Sequence, residues 1–571
     1  LLFHPSSWRA PFQTRRSEPF GSGPPFWEEV RPGILTAHSR RLCPGCRRAS
    51  LTAAIRGGPR GEKGLSMIIP VLCGHRIHLE KFPDHTRLIK APAPLKPEHP
   101  LPTLIARALD RPLGDDGLAR LGRHSRVVIA FDDPCLPLPL MRKDPRPEAI
   151  RQLTERITGR GVSESNIELV CANGLHRKWT LKELGRILGG EILNRFTGRI
   201  SCHDGTREGE LVHLGKTERG EPVVLNRKVV DADLTVYVNV NWTPMNGGWK
   251  SLTVGLGGYQ SIREHHNPAT LLKSRSLMDP GSSELHASFD RMGKALPGAL
   301  NYMILETVIN NRLTPGRNLD LEALHRTRAG RVGLRIADRA LAAIGPAMFG
   351  KALNLLRAEY EVIDANFGRV DNVHPRTLAS LARQHRVIVK GQSDILVLGV
   401  PDLSPYSSQS SINPLLVMNL ALGYLFNLHQ GRPVVRKGGG LVFFNPLRTR
   451  FHPVHHPSYV RFFEEVLTKT RDPQEMAEKY EEAFARDPSY LRDYQDNYAY
   501  FGAHPFFAWY WGARALAHLS KVVVARCEDP GAAMRMGFEP ASDLADALRI
   551  AGRASDKRIR PSPTCRSRLS S

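Results

Sequence analysis

The stretch Val127-Val128-Ile129-Ala130-Phe131-Asp132-Asp133-Pro134 decides the fold. Five apolar residues run together without polar alternation, as a strand buried on both faces requires, and Asp-Asp-Pro ends the run. Downstream, Pro147 opens an amphipathic helix with Ile150, Leu153 and Ile157 on one face, closed by Gly159 and Gly161. Ile167-Glu168-Leu169-Val170-Cys171 reads as the next strand, and Thr180-Leu181-Lys182-Glu183 as a capping box that starts a second helix. Leu234-Thr235-Val236-Tyr237-Val238 is a further strand. Strands and helices alternating through short links predict an α/β fold with a mostly parallel sheet covered by helices.

The same pattern restarts late in the chain. Asp394–Leu398, Leu441–Phe444 and Lys521–Val524 have strand length and composition. Between them lies a helix with Asp472 as N-cap and Pro473 as its first residue. Its Met476, Tyr480 and Phe484 recur at four-residue spacing, which is core packing. The expected layout is therefore two α/β domains facing a cleft, residues 67–300 and 386–552, with a helical linking region at 301–385. Residues 1–66, rich in Pro, Gly, Arg and Ser, read as a disordered or non-native leader, with the native start at or near Met67. Residues 553–571 read as a basic tail.

The net charge of +24 invites a nucleic-acid role. Its distribution argues against one. Residues 1–66 carry 11 Lys/Arg against 4 Asp/Glu, and residues 549–571 carry 7 against 1. More than half of the excess thus sits at the two ends, so no specific nucleic-acid partner is expected. No apolar run reaches about 18 residues, so no membrane span is expected either. The eight cysteines are scattered, and Cys43-x-x-Cys46 lacks a second pair at zinc spacing. A reduced, cytoplasmic protein is the expectation.

In parallel sheets, ligands bind beyond the carboxyl ends of strands. Three strand ends are polar here: Asp132-Asp133-Pro134-Cys135-Leu136-Pro137, Ala172-Asn173-Gly174-Leu175-His176-Arg177, and Asn241-Trp242-Thr243-Pro244-Met245-Asn246-Gly247-Gly248-Trp249-Lys250-Ser251. The last leads to Gly255-Leu256-Gly257-Gly258 and then His265-His266-Asn267. Trp249 interrupts the Gly-Lys step, so this is not a phosphate-binding P-loop, and the later glycines complete no dinucleotide fingerprint. Gly248 lets backbone approach a ligand closely, just before Lys250. His452, His455 and His456 cluster in a Pro-rich loop and read as structural.

In order and spacing these motifs resemble the nickel-dependent (nickel-pincer) lactate racemase family. The resemblance runs from about Met67 to Leu548 and is strongest from Val127 to Asn267. It implies that His176 is a catalytic acid/base, that Lys250 holds the nickel-pincer nucleotide covalently, and that His266 ligates nickel. Asp133 lies where the family's strand-end aspartate contacts the cofactor. His203-Asp204 resembles another recurrent element. The implied reaction is racemisation or epimerisation of a 2-hydroxy acid by hydride transfer to and from the cofactor. Side chains cannot accept hydride, so an electron-poor cofactor must. The implied partners are a small hydroxy-acid substrate and the enzymes that make the cofactor.

Two positions depart from the pattern. Val240 stands where the family has its second catalytic histidine, and Leu136 where it has the arginine that pairs with the substrate carboxylate. The cofactor residues are thus kept while substrate residues have changed, which predicts a related substrate, or one-sided chemistry such as epimerisation of a larger hydroxy acid with another second base. His203, His265 or a residue of the C-terminal domain is expected to supply the second base. Arg142 or Arg177, with Gln409 in the Ser-rich loop 404–413, is expected to meet the substrate. The rival expectation is a catalytically silent homologue that binds the cofactor or another ligand.

Overall fold

The computed structural model describes residues 67–552, except 297, 299, 316–320 and 409. The expectations for 1–66 and 553–571, and for Gln409, lie outside the described residues. The described residues form two six-stranded sheets, each parallel but for one antiparallel edge strand, and a small antiparallel pair, Leu211–Lys216 with Pro222–Asn226. The fold is α/β, as the alternation predicts.

In the first sheet the strands lie in the order Val362–Gly368, Tyr302–Ile309, Leu234–Asn241, Val127–Asp132, Ile167–Ala172, Ile200–Cys202. Val127–Phe131 is fully covered on both faces, which explains its unbroken apolar sequence. From this central strand the chain proceeds first to one side and later to the other. Its carboxyl end is therefore a topological switch point, where open α/β sheets leave a crevice. The helix read from Pro147 begins two residues earlier, at Pro145, with Asp144 as N-cap. The Thr180–Glu183 capping box forms as read.

In the second sheet the order is Glu539–Ala541, Lys521–Ala525, Val435–Phe444, Ser393–Pro401, Met67–Gly74, Arg76–Phe82. The chain's first described strand, Met67–Gly74, therefore pairs with a strand more than three hundred residues later. Segment 301–385, read as a helical link, contributes two strands to the first sheet as well as the helices Arg328–Leu355 and Val370–His385. Tyr302–Ile309 is wholly buried, and its apolar run looks equally like a buried helix turn in sequence. Asp472 caps the helix Pro473–Lys479, and Met476 and Phe484 are core residues as read. No described helix is long and apolar enough to cross a membrane.

Candidate active site

One cavity collects the polar strand ends of the first sheet and an aromatic wall from the later part of the chain. Asp132, Asp133, Asn173, His176, Asn239, Lys250 and His266 line it from one side. Tyr406, Asn419, Tyr424, His504, Phe507 and Trp511 line it from the other.

The first strand end is clamped from below. Arg146, fully buried at the start of helix Pro145–Gly159, donates to the carbonyls of Asp132 (2.7 Å) and Asp133 (3.1 Å) and pairs with Asp144. Asp133 Oδ2 then lies 2.9 Å from Nδ1 of His176, and its carboxylate also accepts from Cys135 N and Trp179 Nε1. Burial works against this charge, but the partnership with His176 holds the Asp133 carboxyl below its ordinary value. Asp133, read as a cofactor contact, lines the cavity and also orients His176. Asp132 accepts from Tyr237 Oη, Asn239 Nδ2 and the Val240 amide, and burial still raises its carboxyl to about 6.

Lys250 sits in the first turn of the short helix Trp249–Thr253. Its amine makes no hydrogen bond or ion pair among the described residues, and burial pulls it below the ordinary lysine value despite Asp132 and Asp133 nearby. The double glycine before it is a packing requirement. Gly247 and Gly248 have φ of +85° and +62°. A Cβ on Gly247 would lie 2.2 Å from Glu306 Oε1, and one on Gly248 2.8 Å from the His374 ring. Buried Glu306 accepts from the Gly248 amide at 2.7 Å and contacts His374 Nδ1 at 3.1 Å. Gly248, read as a cofactor contact, thus faces Glu306 and His374 and is not among the cavity-lining residues. It is glycine because only glycine accepts that turn.

His266 ends the helix Tyr259–His265. Its Nδ1 meets His265 Nδ1 at 2.7 Å, and its ring rests against Phe507 and Trp511. Burial, with Lys250 close by, lowers it to about 3, so the imidazole stays neutral as a metal ligand must. His176, His266 and His504 share one arrangement: each has Nδ1 tied, to Asp133, His265 and Tyr459, and each leaves Nε2 without a partner among the described residues. None of these three Nε2 atoms is among the sealed, unpartnered atoms of the interior.

Several other expectations fall away. Arg177 is 1% exposed, pairs with Glu183 at 2.6 Å, donates to the Lys178 and Ser408 carbonyls and stacks on Trp179. It is a structural cation that does not line the cavity. Arg142 pairs with Glu359. Both nitrogens of His203 are used internally, by Gly257 O and Asn226 Nδ2, so it cannot serve as a base. His265 is buried behind His266 and does not line the cavity. His452 and His455 stack on each other, and His456 contacts the Tyr406 carbonyl and Asn413. Leu136 and Val240 do line the cavity, so the two departures from the family pattern are departures in the site itself.

The aromatic wall was not anticipated. Helix His504–His518 reads in sequence as a core run, Phe506-Phe507-Ala508-Trp509-Tyr510-Trp511. Tyr424 and Asn419 reach the cavity from a π-helical turn, Asn419–Leu425, whose widened register no simple period reveals. Only Pro405-Tyr406, in the loop singled out for polar contacts, carried a legible signal.

The chemistry of the lining fits a polar cofactor with one metal. Asn173, Asn239 and Asn419 each spend their amide nitrogen on an internal acceptor and leave a buried Oδ1 unpaired. All three lie sealed in the cavity wall, which makes that wall polar rather than hydrocarbon-like. His266 offers a single imidazole rather than a protein-only ligand cluster, as a metal carried mainly by a cofactor needs. Among the described residues, the only group of three possible metal ligands is Asp133, Cys135 and His176, whose atoms lie within 4.8 Å of one another.

Residues 75–279 match the family model described as the lactate racemase N-terminal domain. That span holds Asp133, His176, Lys250 and His266 but not the aromatic wall. The chain is 28% identical over 170 residues to the lactate racemase of Lactiplantibacillus plantarum, and 26% over 168 residues to that of Thermoanaerobacterium thermosaccharolyticum. Each match covers 28% of this chain, and 38% and 37% of those enzymes. The structure of the lactate racemase apoprotein from Thermoanaerobacterium thermosaccharolyticum superposes with a TM-score of 0.55 at 17% identity. It covers 86% of this chain and 96% of that one, so the two share a fold.

Proposed function

We propose that this chain belongs to the lactate-racemase-like family and is an isomerase that racemises or epimerises a 2-hydroxy acid with a nickel-pincer nucleotide held at Lys250 and His266. The observation that carries this reading is the unpartnered amine of Lys250, held below the ordinary lysine value by burial, opening on the same cavity as the free Nε2 atoms of His176 and His266. A lysine amine of lowered pKa is the reactive form for covalent attachment, and neutral imidazole suits nickel. Held there, such a cofactor would supply a reversible acceptor for the hydrogen of the carbinol carbon and its electron pair.

The remaining work falls to side chains. His176 accepts the hydroxyl proton at Nε2, and Asp133 fixes the ring and offsets the positive charge that results. Tyr424, Phe507 and Trp511 keep bulk water from the reacting carbon. No guanidinium lines the cavity among the described residues, and Leu136 stands in its wall. This favours a hydroxy acid with a larger apolar or aromatic side chain over lactate.

Turnover of chiral 2-hydroxy acids in D2O tests the reaction type. The reading requires inversion with the original hydrogen kept on carbon. Incorporation of solvent deuterium at that carbon would contradict it. The same two departures, Leu136 and Val240, support the rival reading of a silent binding homologue. Cofactor uptake without inversion of any 2-hydroxy acid would favour that rival.

A further inference from the structure

We propose that His504, on the helix His504–His518, is the second acid/base of the site and serves the enantiomer that His176 does not. The inference rests on the proposed function above. It starts from a deficit: Val240, at the position of the family's second histidine, is apolar and 2% exposed. Of the cavity-lining carboxylates, amines and imidazoles, Asp132 is used by Tyr237, Asn239 and the Val240 amide, and Asp133 by His176. Lys250 and His266 belong to the cofactor. His504 is what remains.

Its setting mirrors that of His176. His504 Nδ1 is hydrogen-bonded to Tyr459 Oη, as His176 Nδ1 is to Asp133. The two rings are 5.6 Å apart between centroids and nearly perpendicular, at 77°. Tyr406 packs edge-on against both, at 5.0 and 4.9 Å, and fixes them relative to each other. A phenol can donate to a neutral imidazole or accept from a protonated one, so the Tyr459 tie survives the arrival and departure of a proton.

The geometry suits inversion. Two enantiomers that present their C–H bond to one acceptor must place their hydroxyl oxygens one substituent position apart. Each oxygen needs a base within ~2.6–3.2 Å. Two neighbouring imidazoles held a few ångströms apart meet that need. Inversion needs one ring neutral and the other protonated at the start of the turnover. The neutral ring takes the hydroxyl proton as the C–H hydrogen leaves with its electron pair to the bound two-electron acceptor, and a C=O bond forms. That hydrogen and pair then return to the opposite face, the C=O becomes C–O, and the protonated ring gives its proton to the oxygen. A substrate carboxylate supplies the negative charge that offsets the buried proton.

The test uses the loaded full chain and each pure enantiomer, measuring one-turnover formation of the 2-keto acid by trapping. His504→Gln should lose keto-acid formation from one hand by about 100-fold or more while the other hand is nearly unchanged. His176→Gln should show the opposite preference. Tyr459→Phe, which keeps the ring in place, should show a weaker loss on the same hand as His504→Gln. An equal effect of His504→Gln on both hands, or none on either, would overturn the proposal. A second readout needs no cofactor. In unloaded, 15N-histidine-labelled protein, added phenylpyruvate, an aromatic 2-keto acid, should move the Nε2 signals of both His176 and His504. Movement of His176 alone would overturn the assignment. If the labelled protein responds at both rings but the loaded chain inverts nothing, the functional reading fails while the place of His504 in the ligand site stands.

Discussion

Asp133 and His176 form a partly buried carboxylate–imidazole pair, Oδ2 to Nδ1 at 2.9 Å, across two neighbouring strand ends of the first sheet. The pair leaves Nε2 of His176 as the nitrogen available to the cavity. Asp133→Asn keeps the shape but loses the charge that holds the tautomer. We expect turnover to fall by about 10²- to 10⁴-fold, with substrate binding little changed. Steady-state kinetics on the loaded enzyme checks this. A purely structural Asp133 would instead lower stability and leave turnover per folded molecule intact.

Gly248 adopts φ +62° and ψ −155°, a region open essentially to glycine. Gly248→Ala should cost about 1–3 kcal/mol in denaturant unfolding. It should also push against His374 and misplace Lys250, so that lysine modification falls even in the folded fraction. Unfolding curves together with peptide mass analysis separate the two effects.

Arg177 was expected at the substrate and is found sealed against Glu183 and Trp179. Arg177→Ala should therefore destabilise the protein by about 3 kcal/mol, because it strands Glu183, while the KM of the surviving folded enzyme stays near normal. A large rise in KM without loss of stability would restore the substrate role.

These three residues mark how far the sequence could be read. The buried run Val127–Phe131 and the Thr180–Glu183 capping box depend on local pattern, and both form as read. Lys250 and His266 stand out through spacing and line one cavity. Arg177 and Gly248 lie at the right strand ends, but which way a side chain points past a strand end depends on partners distant in sequence. For Arg177 that includes the Ser408 carbonyl, and for Gly248 it is Glu306 and His374. Tyr302–Ile309 was hidden because a short apolar run does not distinguish strand from helix. His504 was hidden because its helix is apolar on every side, and nothing local separates a core histidine from one at a cavity wall.

Asp132 supplies a pH signature. Burial raises its carboxyl from an ordinary 3.8 to about 6 in the folded protein. A folded-state value above the unfolded one means that the folded state binds the proton more tightly. Holding the charge is therefore destabilising above pH 6, and the penalty is lifted as pH falls through 6 towards 4. Against Asp132→Asn, the wild type should gain up to about 3 kcal/mol between pH 8 and pH 4. Chemical unfolding of both proteins across that range measures it, and a constant difference would contradict it.

The Lys250 amine is held below the ordinary lysine value by burial. Its reaction with a small acylating reagent should therefore reach half its maximal rate at a lower pH than the exposed lysines do. Peptide-resolved labelling across pH 7 to 11 reads this directly. Labelling of Lys250 in step with the surface lysines would remove the electrostatic basis for attachment.

The central claim is that this cavity holds a covalently attached nickel cofactor. Its most direct measurement is intact-protein and peptide mass spectrometry, with metal analysis, on the full chain co-expressed with the cofactor-making enzymes and supplied with nickel. The account predicts a single mass adduct on Lys250 and about one nickel per chain, the nickel lost first in His266→Ala. An unmodified Lys250 without stoichiometric nickel under those conditions would contradict it.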